Sequence, residues 1–248
     1  MMQDDVWRAE RLASLLAPDG WLNLTDRVEI APGPQRVGRA GDNDLILSAG
    51  PDHLGVLELV GAGALFATPD GQMRAFAATS GFPQLSVPPL LLELHTVDGI
   101  AALRVRDTSI TPRLSLRYFD YDPEWRIMAD WQSLPQAENR TIAQKGAGDT
   151  VVRLSHRAVF RRDGTGHVLL PTHWKGGKPM FVIRDATSGH ETYAASRFLI
   201  GDVQGDRILL DFNHAHNPPC AFTDLAICPL PPPENRLAIA IRAGERTP

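Results

Sequence analysis

The spacing of apolar residues changes once along the chain, near residue 20. From Val6 to Leu16 they recur every three or four positions, and Pro18 and Gly20 then follow, as is typical of a helix end. The sequence therefore predicts a short amphipathic helix. Its apolar positions are Val6, Ala9, Leu12, Ala13 and Leu16.

After the helix, apolar and polar residues alternate in short runs separated by turn sequences such as AGDND, AGPD and TPDG. A period of two predicts β-strands, and turns about every ten residues are typical of an antiparallel sandwich or meander. The 20 prolines disfavour central parallel strands, because proline has no N–H to donate to a strand ladder. The predicted fold is mainly β, an antiparallel β-sandwich/barrel-like architecture with a short N-terminal helix.

Strand and turn positions follow from the same pattern. Hairpins are predicted around Asp98-Gly99 and Asp163-Gly164, which are favourable two-residue turns. Further strands are predicted at 21–24, 45–47, 56–60, 65–68, 180–186, 193–200, 207–213 and 236–243. The aromatic segment 118–132 has no clear period and supports no assignment.

The chain divides most naturally into a helix and two β-rich halves. We expect an N-terminal helix at 1–20, a first half at 21–110 and a second half at 111–248, with the boundary near residues 105–115 (RDTSITP). One continuous domain is the alternative.

Charge and composition exclude several classes of partner. The net charge of −4 and the absence of a long basic run disfavour a general nucleic-acid binder. Acids stand at the N-terminus where a signal peptide carries positive charge, and the apolar runs are too short to span a bilayer. We therefore expect a cytoplasmic protein with no nucleic-acid partner, no membrane partner and no cofactor. The oligomeric state stays open.

The stretch DFNHAHNPPCAF, residues 211–222, contains the residue types of several kinds of site. Zinc binding by His214, His216, Cys220 and Cys228 is disfavoured, because Cys-x7-Cys is not a usual zinc spacing. Catalysis by Cys220 would need a histidine that holds it as a thiolate. The simplest interpretation is a rigid corner made by Asn-Pro-Pro, and pairing of the two cysteines stays open.

Alternation along the strands places carboxylates beside apolar faces. Asp211 and Asn213 lie opposite the apolar face of their strand, whereas Asp185 and Glu245 continue apolar faces. Three arginines, Arg184, Arg197 and Arg236, are candidate partners for these carboxylates. The groups form either a polar pocket or a structural ion-pair network.

One short segment resembles a second kind of module. RVGRAGDNDLIL, residues 36–47, resembles the opening of a forkhead-associated domain in Gly38-Arg39 and NDLIL, with His53 near the family's structural histidine. The resemblance implies phosphothreonine binding through an arginine and a serine. The chain departs from that family at Gly50, where the serine is expected, and a plain Gly-Asp-Asn turn explains the same letters.

A denser resemblance lies in the last third of the chain. FVIRDATSGHETYAASRFL, DFNHAHNPPCAF and CPLPPPENRLAIAIRAGE, with the earlier GWLNL, resemble DUF1684, a bacterial domain family of unknown function. The resemblance implies no activity, and His214 and His216 depart from the family pattern.

Together these features predict a polar pocket in the second half of the chain. Its candidate residues are Arg184, Asp185, Tyr193, Arg197, Asp211, Asn213, Asn217, Cys220 and Glu245. The expected function is small-molecule binding or enzymatic chemistry. The alternatives are a forkhead-associated-like phosphopeptide-binding module and a purely structural or interaction domain.

Overall fold

The computed structural model describes residues 2–79, 81–97 and 99–248. It divides into two compact units: Met1–Leu12 with Leu114–Pro248, called the C-terminal unit, and Ala13–Arg113, called the N-terminal unit. Strands make up 47% of the structure, mostly in antiparallel sheets, and helix α1 spans Met2–Leu16. The predicted class, mainly β and antiparallel with an N-terminal helix, is confirmed. Within the described ranges, no helix is both long enough and apolar enough to cross a membrane.

The N-terminal unit is a two-sheet sandwich. Its strands are β1 (Leu24–Glu29), β2 (Gln35–Gly38), β3 (Leu45–Ile46), β4 (Gly55–Val60), β5 (Gly63–Ala67), β6 (Met73–Ala75), β7 (Gln84–Val87), β8 (Leu90–Val97) and β9 (Ile100–Asp107). One sheet has the order β1-β9-β8-β7 and the other has the order β3-β2-β4-β5-β6. Val37 and Phe66 from one sheet share a buried core with Leu92 and Val105 from the other. The β2–β3 pair is parallel.

The C-terminal unit is built on a seven-stranded sheet with the order β13-β12-β10-β17-β16-β15-β14. Its strands are β10 (Arg126–Ile142), β11 (Gln144–Lys145), β12 (Thr150–Arg162), β13 (Thr165–Leu169), β14 (His173–Lys175), β15 (Lys178–Ile183), β16 (Arg197–Gln204), β17 (Arg207–Asp211) and β18 (Cys228–Pro229), of which β11 and β18 form a separate pair. As far as the described residues show, the large sheet is open at both ends and not closed into a barrel. Short 3-10 helices lie at Trp21–Asn23, Pro123–Trp125, Phe212–His214, Pro219–Ala221 and Pro233–Asn235.

Both faces of the large sheet carry buried side chains. Phe181, Leu199 and Leu210 belong to the main core on one face and are fully buried. Val182 and Phe198 belong to a smaller cluster on the other face. Because alternate residues of a strand point to opposite faces, β15 is apolar on both sides and cannot show a simple alternation in sequence.

The two predicted hairpins differ in how much of each the structure describes. β12 and β13 pair through Arg162 and Thr165, and the turn residues Asp163 and Gly164 have φ values of 50° and 78°. Two positive φ values are what a type I′ turn requires, so this prediction is confirmed. β8 and β9 also pair, but Asp98 of their predicted turn lies outside the described residues.

Several sequence assignments need correction or completion. The predicted strand 193–200 begins only at Arg197, and the predicted strand 207–213 ends at Asp211, where a 3-10 helix follows. Residues 21–23 form a 3-10 helix rather than a strand, and 118–132 contains the Pro123–Trp125 turn and the start of β10. The predicted strand at 236–243 was wrong, since only an isolated bridge joins Arg236 to Arg184. Backbone groups hold its first part, since the Leu237 N–H donates to the Arg184 carbonyl and the Ala186 N–H donates to the Ile239 carbonyl. Side chains hold Ile241, whose N–H donates to Asp185 and whose carbonyl accepts from Arg197.

Helix α1 is present as predicted, but its predicted apolar stripe is only partly its buried face. Val6 is 54% exposed, whereas Asp4 and Leu15 are buried. The described buried and half-buried side chains of α1 are at positions 4, 7, 8, 11, 12, 15 and 16, one stripe of the helix. Asp4, Trp7 and Arg11 of this stripe make ion pairs and an aromatic stack within the C-terminal unit, described below.

Candidate functional site

The structure distributes the predicted pocket residues over several groups. Asp185 pairs with Arg197, Glu245 contacts Asn217, Tyr193 contacts Cys220, and Asp211 contacts Asn213, while Arg184 is exposed. A shallow depression of about 250 Å³ beside Arg184 also touches Asp185 and Arg236. Each group has its own geometry and therefore its own possible role.

Asp185 and Arg197 form an ion pair in the core. Arg197 Nη2 donates to Asp185 Oδ2 at 2.7 Å, and both side chains are 1% exposed. Asp185 Oδ1 also accepts from the N–H and the hydroxyl of Thr187, at 2.8 and 2.6 Å. Arg197 donates to the carbonyls of Ile241 and Ala243. The pair thus ties the C-terminal segment to the turn after β15, which is a structural role.

Glu245 anchors helix α1 to the C-terminal segment. Its side chain is fully buried; Oε1 accepts from Arg11 Nε at 2.8 Å and Oε2 accepts from the Asn217 N–H at 2.8 Å. Arg11 Nη2 also donates to the Asn217 carbonyl at 2.8 Å. Every polar atom that Glu245 offers is thereby engaged inside the protein, so this carboxylate is not free for a ligand.

Tyr193, Cys220 and Lys145 form a third group. The Tyr193 hydroxyl donates to the Cys220 carbonyl at 2.7 Å, and Lys145 Nζ donates to the Tyr193 hydroxyl at 3.2 Å. Cys228 lies alongside, because its Sγ accepts from the Cys220 N–H at 3.3 Å. A hydrogen bond from Cys228, with help from Tyr193 and Lys145, lowers the pKa of the Cys220 thiol to about 7.

Asp211 and Asn213 form the end of β17. Asp211 Oδ1 accepts from the N–H of Asn213 at 3.1 Å and so caps the 3-10 helix that follows. Asn213 is buried and exchanges two hydrogen bonds of 2.9 Å with the backbone of Asp122. The second oxygen of Asp211, Oδ2, lies 3.5 Å from Arg126 Nε. Asp211 therefore combines a local structural role with a charge that faces outward.

That outward charge lines a cavity of the C-terminal unit, which we call the outer cleft. It has a volume of about 510 Å³ and lies over the face of the large sheet opposite the main core. Its walls come from α1, the segment before β10 and the outer faces of β15, β16 and β17. The lining residues are Asp4, Trp7, Tyr121, Arg126, Lys178, Ile200, Gly201, Asp202, Leu209, Asp211, His214 and His216.

One wall of the outer cleft is an aromatic stack. The rings of Trp7 and His214 lie 4.4 Å apart and 12° from parallel, and His214 Nε2 is 3.3 Å from Asp4 Oδ1. His216 lies below, with its Nδ1 3.1 Å from the His214 carbonyl. Burial, followed by the positive charge of Arg11, lowers the pKa of His216 to about 3. His216 is therefore neutral, with Nδ1 donating and Nε2 left as an acceptor.

Another part of the lining is an ion pair between β15 and β16. Lys178 Nζ lies 2.8 Å from Asp202 Oδ1, and each side chain is about half exposed, at 55% and 51%. The Lys178 ammonium holds the pKa of the Asp202 carboxyl below its usual value. The lining of the outer cleft thus holds charges of both signs.

Sequence reasoning found Asp211 but missed most of the cleft. It did not single out Asp4, Trp7, Arg126, Lys178 or Asp202. For α1 there was a usable signal, since Asp4, Trp7 and Arg11 share one helical stripe that carries charge and an aromatic ring. Lys178 and Asp202 lie on paired strands, and only their register makes them neighbours.

Comparison with known proteins places the C-terminal unit in a family. An uncharacterized protein from gene locus rrnAC0354 of Haloarcula marismortui, solved by NMR in solution, is 33% identical over 53% of this chain and 76% of that chain, with a TM-score of 0.43. Among curated proteins, no sequence matches this chain. The model of DUF1684, described as a protein of unknown function, matches residues 114–246, more than half of the chain. The chain therefore belongs to the DUF1684 family.

Proposed function

We propose that the C-terminal unit binds a small polar molecule in the outer cleft. The observation that carries the proposal is a cavity of about 510 Å³ whose lining holds charges of both signs. Ligand pockets commonly span about 300–1,000 Å³ and fix their ligand with a few convergent polar groups. Ile200 and Leu209 add apolar surface to the same lining.

The charges of the outer cleft favour a zwitterionic ligand. Arg126 Nε lies 3.5 Å from Asp211 Oδ2, between β10 and β17, and Lys178 Nζ lies 2.8 Å from Asp202 Oδ1, between β15 and β16. A ligand with both an anionic and a cationic group can contact one partner of each pair and leave the sum of the charges in the cleft unchanged, whereas a singly charged ligand adds a net charge. We therefore expect a molecule of the size and charge of an amino acid.

Binding is a better interpretation of this geometry than catalysis. His216 is a weak base because its pKa is about 3, and Lys178 holds the pKa of Asp202 below its usual value. A general base working near neutral pH needs a pKa close to that pH. These groups are suited to hold and orient a ligand.

A thermal-shift screen of amino acids and related zwitterions tests the proposal. A ligand that binds only the native state at 100 times its Kd adds roughly 2.7 kcal/mol to the free energy of unfolding. We expect at least one compound to raise the Tm of the wild type. Asp211→Asn keeps the capping oxygen but removes the charge, and it should abolish that shift.

The matched control is Asp206→Asn. Asp206 is an exposed carboxylate in the β16–β17 turn and does not line the outer cleft. This variant should keep the full ligand-induced shift. A shift that survives in Asp211→Asn, or a screen in which no zwitterion stabilises the wild type, would count against the proposal.

A phosphopeptide-binding N-terminal unit is the second candidate. It is supported by Arg39, which follows β2 in a two-sheet sandwich and has a side chain that is 59% exposed. Against it, Arg39 Nη2 already donates to Asp52 Oδ1 at 2.8 Å, and Gly50 replaces the serine of forkhead-associated domains. Binding of a phosphothreonine peptide library that Arg39→Ala abolishes would establish it; failure to bind would remove it.

A further inference from the structure

The two cysteines of the chain are not among the lining residues of the outer cleft, and they lie next to each other. Cys220 is 4% exposed and Cys228 is 1% exposed, and both are free thiols. Two short elements set their positions. Cys220 lies in the Pro219–Ala221 3-10 helix, and Cys228 pairs with Lys145 in the β11–β18 ladder.

The surroundings of Cys220 are polar and positively charged. Lys145 Nζ lies 3.4 Å from the Cys220 carbonyl and 3.2 Å from the Tyr193 hydroxyl. The Lys145 side chain is 39% exposed and also reaches Asp224 at 3.3 Å, so the group borders solvent. A positive charge near a thiol favours its thiolate, which is the reactive form.

We propose that Cys220 and Cys228 are a reversible dithiol–disulfide couple that hydroperoxides oxidise, with Cys220 as the attacking thiol and Cys228 as the resolving thiol. The proposed ligand binding in the outer cleft does not involve either cysteine, so each proposal can fail without the other. The asymmetry between the thiols agrees with their surroundings. The hydrogen bond with Cys220 and then burial raise the pKa of Cys228, whereas that of Cys220 is about 7.

The chemistry requires two steps. The Cys220 thiolate attacks one oxygen of hydrogen peroxide, so that an S–O bond forms, the O–O bond breaks and the departing hydroxide takes a proton to become water. The Cys228 sulfur then attacks the sulfenic sulfur of Cys220. An S–S bond forms, the S–O bond breaks, and the hydroxyl leaves as a second water with the proton of Cys228. Two thiols and one peroxide thus give one disulfide and two waters.

The direct test treats the wild-type protein with hydrogen peroxide and measures its intact mass and peptide map without reduction. We expect the monomer mass to fall by two hydrogen atoms, with a Cys220–Cys228 crosslink that dithiothreitol reverses. Thiols that stay reduced under conditions that oxidise a free cysteine would overturn the proposal. So would a disulfide only between chains, or sulfinic acid on one cysteine while the other stays free.

Variants assign the two roles. In Cys228→Ser, we expect the sulfenic acid on Cys220 to persist and to be trapped by dimedone. In Cys220→Ser, we expect at least a tenfold slower reaction with peroxide, because the remaining thiol has the raised pKa. Equal rates for the two single variants would refute the assigned roles. Circular dichroism checks that both variants fold. If they do not, the peptide map of the peroxide-treated wild type still decides whether the disulfide forms.

A lysine pair provides the matched control for the local charge. Lys145→Gln removes the ammonium near Cys220, whereas Lys175→Gln removes an exposed lysine at the end of β14. Iodoacetamide labelling of Cys220 across pH should have its midpoint near 7 in the wild type and in Lys175→Gln. The midpoint should move to higher pH in Lys145→Gln. The same midpoint in all three proteins would show that Lys145 does not activate the thiol.

Discussion

Neutralising the buried carboxylate of Asp185 should be among the most damaging single-charge changes in the C-terminal unit. Asp185→Asn has almost the same shape, but it places an amide against Arg197 Nη2, which lies 2.7 Å from the present carboxylate oxygen. Both side chains are 1% exposed, so the positive charge of Arg197 would stay in the core without its partner. Breaking a buried ion pair from one side costs about 3–5 kcal/mol.

The exposed pair of Lys178 and Asp202 provides a control with nearly the same geometry. Its N–O distance is 2.8 Å, but its side chains are 55% and 51% exposed. Exposed ion pairs are worth roughly 0–1 kcal/mol, because water and salt screen them. Asp202→Asn should therefore change the free energy of unfolding by no more than about 1 kcal/mol.

Urea unfolding followed by tryptophan fluorescence measures both variants. Trp125 and Trp131 lie in the core of the C-terminal unit and report its unfolding. With an m value of about 2 kcal/mol per molar urea, Asp185→Asn should lower the midpoint by roughly 2 M and Asp202→Asn by less than about 0.5 M. Similar losses in the two variants would refute the argument that burial decides the strength of the pair.

A double variant separates the lost pair from lost hydrogen bonding. Arg197→Met together with Asp185→Asn removes both charges, so the unpaired charge that dominates each single variant is absent. The double variant should therefore lose less stability than the sum of the two single losses. If the two single losses of stability simply added up in the double variant, the two side chains would act independently, each through its own hydrogen bonds to the backbone.

Three further predictions concern other parts of the chain. Arg11→Met leaves Glu245 buried without its cation, so α1 should be cleaved faster in limited proteolysis, and an unchanged cleavage rate would contradict the anchoring role. Gly244→Ala should destabilise the protein by several °C in Tm, because Gly244 has a φ of 81° and an added Cβ would collide with the Ala215 carbonyl oxygen. Burial, with nearby positive charge, lowers the pKa of His95 to about 4, so the folded state keeps it neutral. The contribution of neutral His95 to the free energy of unfolding is complete above pH 6.5, the pKa of the unfolded state, and is lost as the pH falls towards 4. His95→Gln should therefore flatten the dependence of that free energy on pH between these values, and an unchanged slope would contradict this.

Features that depend on neighbours in sequence could be predicted well. The Asp163-Gly164 turn follows from the φ values that those two residues tolerate. The shared face of Ile208 and Leu210 on β17 follows from strand geometry, and both side chains are fully buried in the core. The DUF1684 resemblance likewise came from local motifs and was confirmed.

The segment 236–243 shows where the local argument failed. Its burial does alternate, with Leu237 and Ile241 buried and Arg242 exposed, as an extended chain requires. Alternation predicts an extended backbone, but it does not reveal which groups satisfy that backbone. At Ile241, Asp185 and Arg197 take the hydrogen bonds that a neighbouring strand would otherwise make, whereas Leu237 and Ile239 bond to the backbone of residues 184 and 186.

The sequence by itself determined the class of fold, the extended or helical state of most segments and the family. These depend on short-range sterics and on the period of apolar residues, which operate within about ten residues. Only the tertiary structure decided which charge meets which. Glu245 pairs with Arg11 across 234 positions, and the outer cleft joins α1 to three strands far along the chain. Pairing over such separations depends on strand register and packing, and any of several arginines could have satisfied the same carboxylate.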